Sequence, residues 1–302
     1  MKVVELDQST PYFDKDLEPV CRINPGETIQ MNSPDCWADK LTDENVLKTD
    51  LLASGLEMNP CAGPVYVNGA MPGDTLKIFV EDIEIPSHKG RLALISREFV
   101  AGLGRYLEKE DETVVVNIDD EGYADFFGKF KIKTNPMLGV LAVTPDTERV
   151  GTMWPGNFGG NLDCKLLTKG TTLYLPVQVP GALMIAGDCH GLQSDGEILA
   201  SLEAQSRITL KVDVIKNRSE EWPVLETKDK WYLLSYAKTI DEANGIVLNA
   251  MANFLIKRGK YSSSEWLAMM GVAGDLEICE IVDPLVGSRF GMPKSITGDL
   301  RF

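Results

Sequence analysis

Gly63-Pro64-Val65-Tyr66-Val67-Asn68-Gly69, then Met71-Pro72-Gly73-Asp74, then Thr75-Leu76-Lys77-Ile78-Phe79-Val80-Glu81-Asp82-Ile83-Glu84-Ile85, reads as two strands parted by a turn. Proline presets the first turn position and glycine accepts positive φ at the second, so the chain must reverse or kink there. The same layout returns between Thr171 and Asp188, where Pro180-Gly181 separates two apolar stretches. Further on, Ser206-Arg207-Ile208-Thr209-Leu210-Lys211-Val212-Asp213-Val214-Ile215 alternates polar and apolar side chains, the pattern of a half-buried strand. Few segments before about residue 215 are long or periodic enough for helices, so a β-dominated body is expected.

Helix signals concentrate later. Ala243, Ile246, Val247, Ala250, Met251, Phe254 and Leu255 recur at three- and four-residue intervals behind Thr239 and Asp241, predicting a capped helix over about 241–258. A second helix, entered through Ser262-Ser263-Ser264-Glu265, carries Trp266, Leu267, Met269 and Met270 and stops at Gly274. Between body and helices, Lys216 to Lys230 reads as a loop or edge excursion, and Leu276 to Val282 as a following strand. The expected fold is therefore α+β and β-dominated: an antiparallel, sandwich- or barrel-like body over 1–215, with an α+β layer over 216–302 packed on it, the two being separate or one continuous domain.

The 302 residues suffice for a large core. With 30 basic against 45 acidic residues the formal charge is −15, which repels phosphate backbones and anionic lipid surfaces and argues against nucleic acid or membranes as partners. No run of about 18 apolar residues occurs, and the start MKVVELDQST lacks the layout of a signal peptide, so a cytoplasmic protein is expected. Its six cysteines are scattered without a CxxC pair and read as reduced thiols, mostly small core residues. Cys36 and Cys189 stand apart because each sits in a polar motif.

Only two histidines occur. His88 lies in the polar loop Pro86-Ser87-His88-Lys89-Gly90 without an acidic cluster. His190 instead follows Asp188 by two residues and precedes Gln193, Asp195 and Glu197. Residues two apart on a strand point to one side, so Asp188 and His190 can converge, and carboxylate with neutral imidazole is a common ligand pair for zinc-like ions. The alternative is a solvated turn held by an Asp188–His190 hydrogen bond. Glu203 is either a third ligand or general base, or a surface carboxylate. The glycine-rich Trp154-Pro155-Gly156-Asn157-Phe158-Gly159-Gly160-Asn161-Leu162-Asp163 could offer backbone N–H groups to an oxyanion, or be merely a turn. Asp35, in Met31-Asn32-Ser33-Pro34-Asp35-Cys36-Trp37, is a site carboxylate or a cap. No Gly-x-Ser-x-Gly elbow is present, which disfavours a serine triad.

Several ordered stretches resemble the acetamidase/formamidase family: Asn59-Pro60-Cys61-Ala62-Gly63-Pro64 through Gly73-Asp74, Asn135-Pro136-Met137-Leu138-Gly139 to Pro145, Gly159-Gly160-Asn161-Leu162-Asp163, Leu175-Pro176-Val177, and Gly181-Ala182 through Asp188-Cys189-His190 to Asp195-Gly196-Glu197. Ser194 departs from the commoner Gln-Gly-Asp-Gly-Glu, and the chain is shorter than the longer formamidase-type members. The resemblance implies hydrolysis of formamide- or acetamide-like amides on a β-rich fold with a divalent metal such as zinc, and a homo-oligomer, for which the apolar Trp266-Leu267-Met269-Met270 face is the expected contact. Joined to the residue reading, it gives His190, Asp188 and Asp35 as metal ligands, Glu197 or Glu203 as general acid–base, Asn161 and the N–H groups of the Gly159-Gly160 turn as holders of the carbonyl oxygen, and Asp163 as a further catalytic residue in the same cleft. The alternatives are metal-assisted opening of a cyclic amide, or a noncatalytic module holding structural calcium.

Overall fold

The computed structural model describes residues 1–95 and 100–300. Two large sheets form its framework. The nine-stranded sheet runs from Lys2–Val4 through Thr28–Ser33, Ser206–Ile215, Thr75–Glu84, Thr172–Pro176, Val224–Glu226, Lys230–Ala237 and Val286–Pro293 to Asp275–Glu280. In the eleven-stranded sheet, Met184–His190 pairs with Met137–Ala142, Cys61–Val67 and Glu203–Ala204, and the last of these leads to Lys89–Ile95 and Asp111–Ile118. Nearly all pairings are antiparallel. The β-dominated α+β expectation holds, as a sandwich whose inner faces meet in one core containing Ile78, Leu175 and Leu210 from one sheet and Val65, Val140 and Ile185 from the other.

Both Pro-Gly units form, but neither makes a hairpin. Cys61–Val67 belongs to one sheet and Thr75–Glu84 to the other, and likewise Met184–His190 and Thr172–Pro176. Each turn therefore carries the chain across the sandwich. The two crossovers brace each other, since Gly181 N–H donates to the Ala70 carbonyl (2.8 Å) and Val177 N–H to the Asp74 carbonyl (2.9 Å). Gly73 takes the positive φ of +92° that its turn position requires.

The alternating segment is a strand over Ser206–Ile215, and the helices span Ile240–Arg258 and Ser263–Ala273. Both helices pack on the outer face of the nine-stranded sheet. Along Lys230–Ala237, Tyr232, Leu234 and Tyr236 enter the central core while Trp231 and Leu233 meet Val247, Met251 and Phe254 of the long helix. Burial on both faces explains why this strand is apolar almost throughout. Two readings need correction. Val224–Glu226 is an interior strand, not a loop or edge excursion, and three residues are too few to show a period. Trp266 and Met270, taken as a self-association face, are buried in the helix–sheet layer, with Leu267 left exposed.

Candidate active site

Strands Glu203–Ala204, Met184–His190 and Gly159–Asn161 of the eleven-stranded sheet, the last two separated by Met137–Ala142, carry much of the polar site. His190 stands opposite Glu203 in the ladder, which puts the two side chains on the same face. His190 Nε2 lies 3.2 Å from Glu203 Oε2 and 3.7 Å from Asp188 Oδ1, while Nδ1 lies 3.8 Å from Asp163 Oδ1. On its other side the ring meets Gln193 Oε1 at 2.8 Å, and Gln193 Nε2 donates to the Asp163 carbonyl (2.6 Å). His190, Glu203, Asp188 and Asp163 border a cavity of about 410 Å³ with Asn59, Asn161, Glu197 and Asp283 and an apolar wall including Trp37, Met58, Met153 and Leu199.

Space for two of the carboxylates comes from Gly139. A Cβ there would stand 2.7 Å from Asp163 Oδ1, from the Asp188 carbonyl and from Asp188 Oδ2. The backbone bends to the same end: Asn59, Asp163, Asp188 and Glu197 have φ between 37° and 52°. A left-handed conformation is uncommon for non-glycine residues and characteristically gathers at functional sites.

Five carboxyl groups, Asp163, Asp188, Glu197, Glu203 and Asp283, face the cavity against His190 and Lys48. Burial lifts Glu197 to about 8 and Glu203 to about 7, with His190 opposing in each case, and lifts Asp283 to about 6. For His190 burial alone would favour the neutral ring, but Glu203 and Asp188 outweigh it and hold the imidazole well above its ordinary value. Asp163 Oδ1, Asp188 Oδ1, Glu197 Oε2 and Glu203 Oε2 are buried without a hydrogen-bond partner. A buried ionised carboxylate costs several kcal/mol unless a cation compensates it, so this arrangement suits a divalent ion. Ligand atoms of Asp163, His190 and Glu197 lie within 4.8 Å of one another, as do those of Cys36, Asp188 and Glu203.

Of the residues read from sequence, Asp188, His190, Glu197, Glu203, Asn161 and Asp163 all line the cavity. Asp35 does not. Its Oδ1 accepts from the Trp37 and Asp39 N–H groups (3.0 and 2.7 Å) and its Oδ2 faces Arg91 at 3.6 Å, so it caps a turn and presents the next residue, Cys36, to the cavity. The Gly159-Gly160 backbone stays outside too, with Gly159 N–H donating to Gly156. His88 is exposed in its loop, 3.8 Å from Asp120. Sequence reasoning missed Asp283. It sits just past the strand Asp275–Glu280, where Glu280 Oε2 accepts from the Val282 and Asp283 N–H groups (3.1 and 3.2 Å), and its carboxylate accepts from Asn161 Nδ2. The available signal was an acidic residue before Pro284 in a turn.

A model of the Acetamidase/Formamidase family matches residues 5–151 and 133–277. An acetamidase of Mycolicibacterium smegmatis is 31% identical over 338 residues, covering 89% of this chain and 76% of that one. A shorter match, 46% identical over 81 residues, covers 26% of this chain and 20% of a Schizosaccharomyces pombe protein named as a candidate formamidase. A crystal structure of an acetamidase from Bacillus halodurans aligns with a TM-score of 0.93 at 32% identity, covering 99% of this chain and 100% of that one.

Proposed function

Because this chain belongs to the acetamidase/formamidase family, we propose that its cavity hydrolyses short linear amides, RCONH₂ + H₂O → RCOO⁻ + NH₄⁺, with a divalent ion held by His190 Nε2, Asp188 and Glu203. The observation that carries the metal is the set of four partnerless carboxylate oxygens around one buried imidazole. Glu203 Oε2 and Asp188 Oδ1, at 3.2 and 3.7 Å from Nε2, are near enough to it that the three groups would share one zinc-class ion. An oxygen-only calcium site would have no use for that imidazole.

When bound, such an ion acidifies water and polarises a carbonyl. The chain's own groups do the rest. Nδ1–H of His190 donates to Gln193 Oε1, which fixes the tautomer and turns Nε2 toward Asp188 and Glu203. Asn59 Nδ2 donates to Asp188 Oδ2 at 2.9 Å and leaves Oδ1 free to ligate. Glu197, held through Oε1 by Ser201 at 2.8 Å, takes a proton from the attacking water on Oε2 and returns it to departing ammonia. Burial brings its proton affinity close to neutrality, where both transfers are easy.

Ammonia release from a panel of linear amides and lactams, before and after chelation, tests this reading. We expect linear amides to be turned over faster than lactams of equal carbon number, loss of activity with chelator, and recovery with zinc. Full activity of metal-free protein, or a preference for lactams, would overturn it. Self-association belongs to the same proposal, supported by Leu267, Val272, Leu276 and Ile278, exposed on the last long helix and the edge strand beside it. Cytoplasmic residence fits the six free cysteines, and no helix among the described residues is long and apolar enough to cross a membrane.

A further inference from the structure

One side chain turned into the cavity carries chemistry that the proposed reaction leaves unused. The Cys36 sulfur lies within 4.8 Å of ligand oxygens of both Asp188 and Glu203, and each of those residues has a buried oxygen without a hydrogen-bond partner. A buried thiol is most often small apolar filler, and Cys36 does pack with Trp37, Leu41 and Ala93. Filler does not account for a sulfur facing two carboxylates, since one weak S–H donor can serve at most one of the two oxygens.

The loop is built to hold this residue still. Asp35 closes the turn that follows it by accepting from the Trp37 and Asp39 N–H groups, Arg91 anchors Asp35, and the Cys36 carbonyl accepts from Asn59 N–H at 2.8 Å. Asn59 is the residue that also orients Asp188, so the sulfur and the carboxylate are positioned by one side chain and its backbone.

We propose that Cys36 is a ligand of the resident ion, its thiolate completing a set with His190, Asp188 and Glu203; this rests on the metal-dependent reading above. Binding transfers the thiol proton to solvent and forms a metal–sulfur bond. One nitrogen, one sulfur and two oxygens select a zinc-class ion over calcium or magnesium, which take oxygen ligands. Four protein ligands leave entry of a fifth group to coordination expansion, which zinc permits.

The test is spectroscopic and independent of turnover. Protein loaded with cadmium should show a thiolate-to-metal charge-transfer band in the ultraviolet that is lost in Cys36→Ser and retained in Cys164→Ser. Zinc-loaded parent protein should show a sulfur neighbour at about 2.3 Å in X-ray absorption, a measurement that needs no variant to fold. A bound ion with no sulfur neighbour, or a band that survives in Cys36→Ser, overturns the proposal and leaves the amidase reading standing. Failure of the parent to hold any divalent ion overturns both.

Discussion

His190 is 1% exposed among carboxylates, while His88 stands on a surface loop, so the protein contains a natural control for its own imidazole. Replacing His190 with Ala removes the one nitrogen donor and leaves Asp188 and Glu203 repelling each other. We expect loss of the ion and a fall in ammonia release on the order of a hundredfold or more, because misplacement by about an ångström already costs that much. His88→Asn, which tolerates the left-handed φ of 53° at that position, should leave both metal content and turnover unchanged. Metal analysis beside an ammonia assay decides this, and an active, metal-loaded His190→Ala would sink the assignment. Glu197 separates a second role from ligation. As the proton carrier, Glu197→Gln should retain the ion while kcat falls by about 10²- to 10⁴-fold; loss of the ion instead would make Glu197 a ligand. Asp35 marks how sequence reading slips at this scale. The motif around it does reach the site, but Asp35 binds its own turn and the neighbouring thiol faces the cavity, a choice made by turn geometry rather than by residue type.

Among elements, the strand Met137–Ala142 is defined by what it lacks. At Gly139 a methyl group would meet oxygens of Asp163 and Asp188 at 2.7 Å, one of them backbone. Gly139→Ala should therefore push the two carboxylates out of place, costing about 1–3 kcal/mol of stability and, unlike most overpacking changes, abolishing ion binding; calorimetric metal titration of the folded variant checks it. The helix Ser263–Ala273 offers the contrast. Ser262 and Glu265 form a reciprocal capping box, with Ser262 N–H donating to Glu265 Oε2 at 2.8 Å. Ser262→Ala should lower unfolding free energy by about 1 kcal/mol in denaturant melts and leave turnover alone, since the helix is remote from the cavity. Elements such as these were legible because a local pattern encodes them: alternation for Ser206–Ile215, caps and three- to four-residue spacing for Ile240–Arg258. Pairing was not. Nothing local says that a Pro-Gly turn will cross a sandwich rather than close a hairpin, and Gly159–Asn161 and Glu203–Ala204 are too short for any period to show. The site divides in the same way. Asp188 and His190 announce themselves by their spacing, whereas Asp283 lies 93 positions after His190 and joins it only through tertiary structure.

Across the whole molecule, the part beyond residue 215 is joined to the rest by sheet, core and site together. Val224–Glu226 pairs with Thr172–Pro176, which extends the nine-stranded sheet through Lys230–Ala237 and Val286–Pro293. Leu225, Tyr232, Leu234 and Tyr236 lie in the central core, and the Tyr236 hydroxyl donates to the Leu162 carbonyl, one residue before Asp163. The loop bearing Glu197 is held from the same side: Gly196 N–H donates to the Cys279 carbonyl at 3.1 Å, and Asp195 pairs at 2.7 Å with Arg289, itself only 1% exposed. Asp283 then closes the cavity. A fragment of residues 1–215 would expose the outer face and the hydrogen-bonding edge of Thr172–Pro176, lose the anchor of the Glu197 loop and lack one cavity carboxylate. We therefore expect the full chain to unfold in a single transition detected alike by near-ultraviolet circular dichroism and by release of the ion, because core and site share these contacts. The fragment should show neither a cooperative transition nor tight metal binding. If it melts cooperatively and still holds a divalent ion, the later strands are an accessory layer and the active site belongs to the first 215 residues alone.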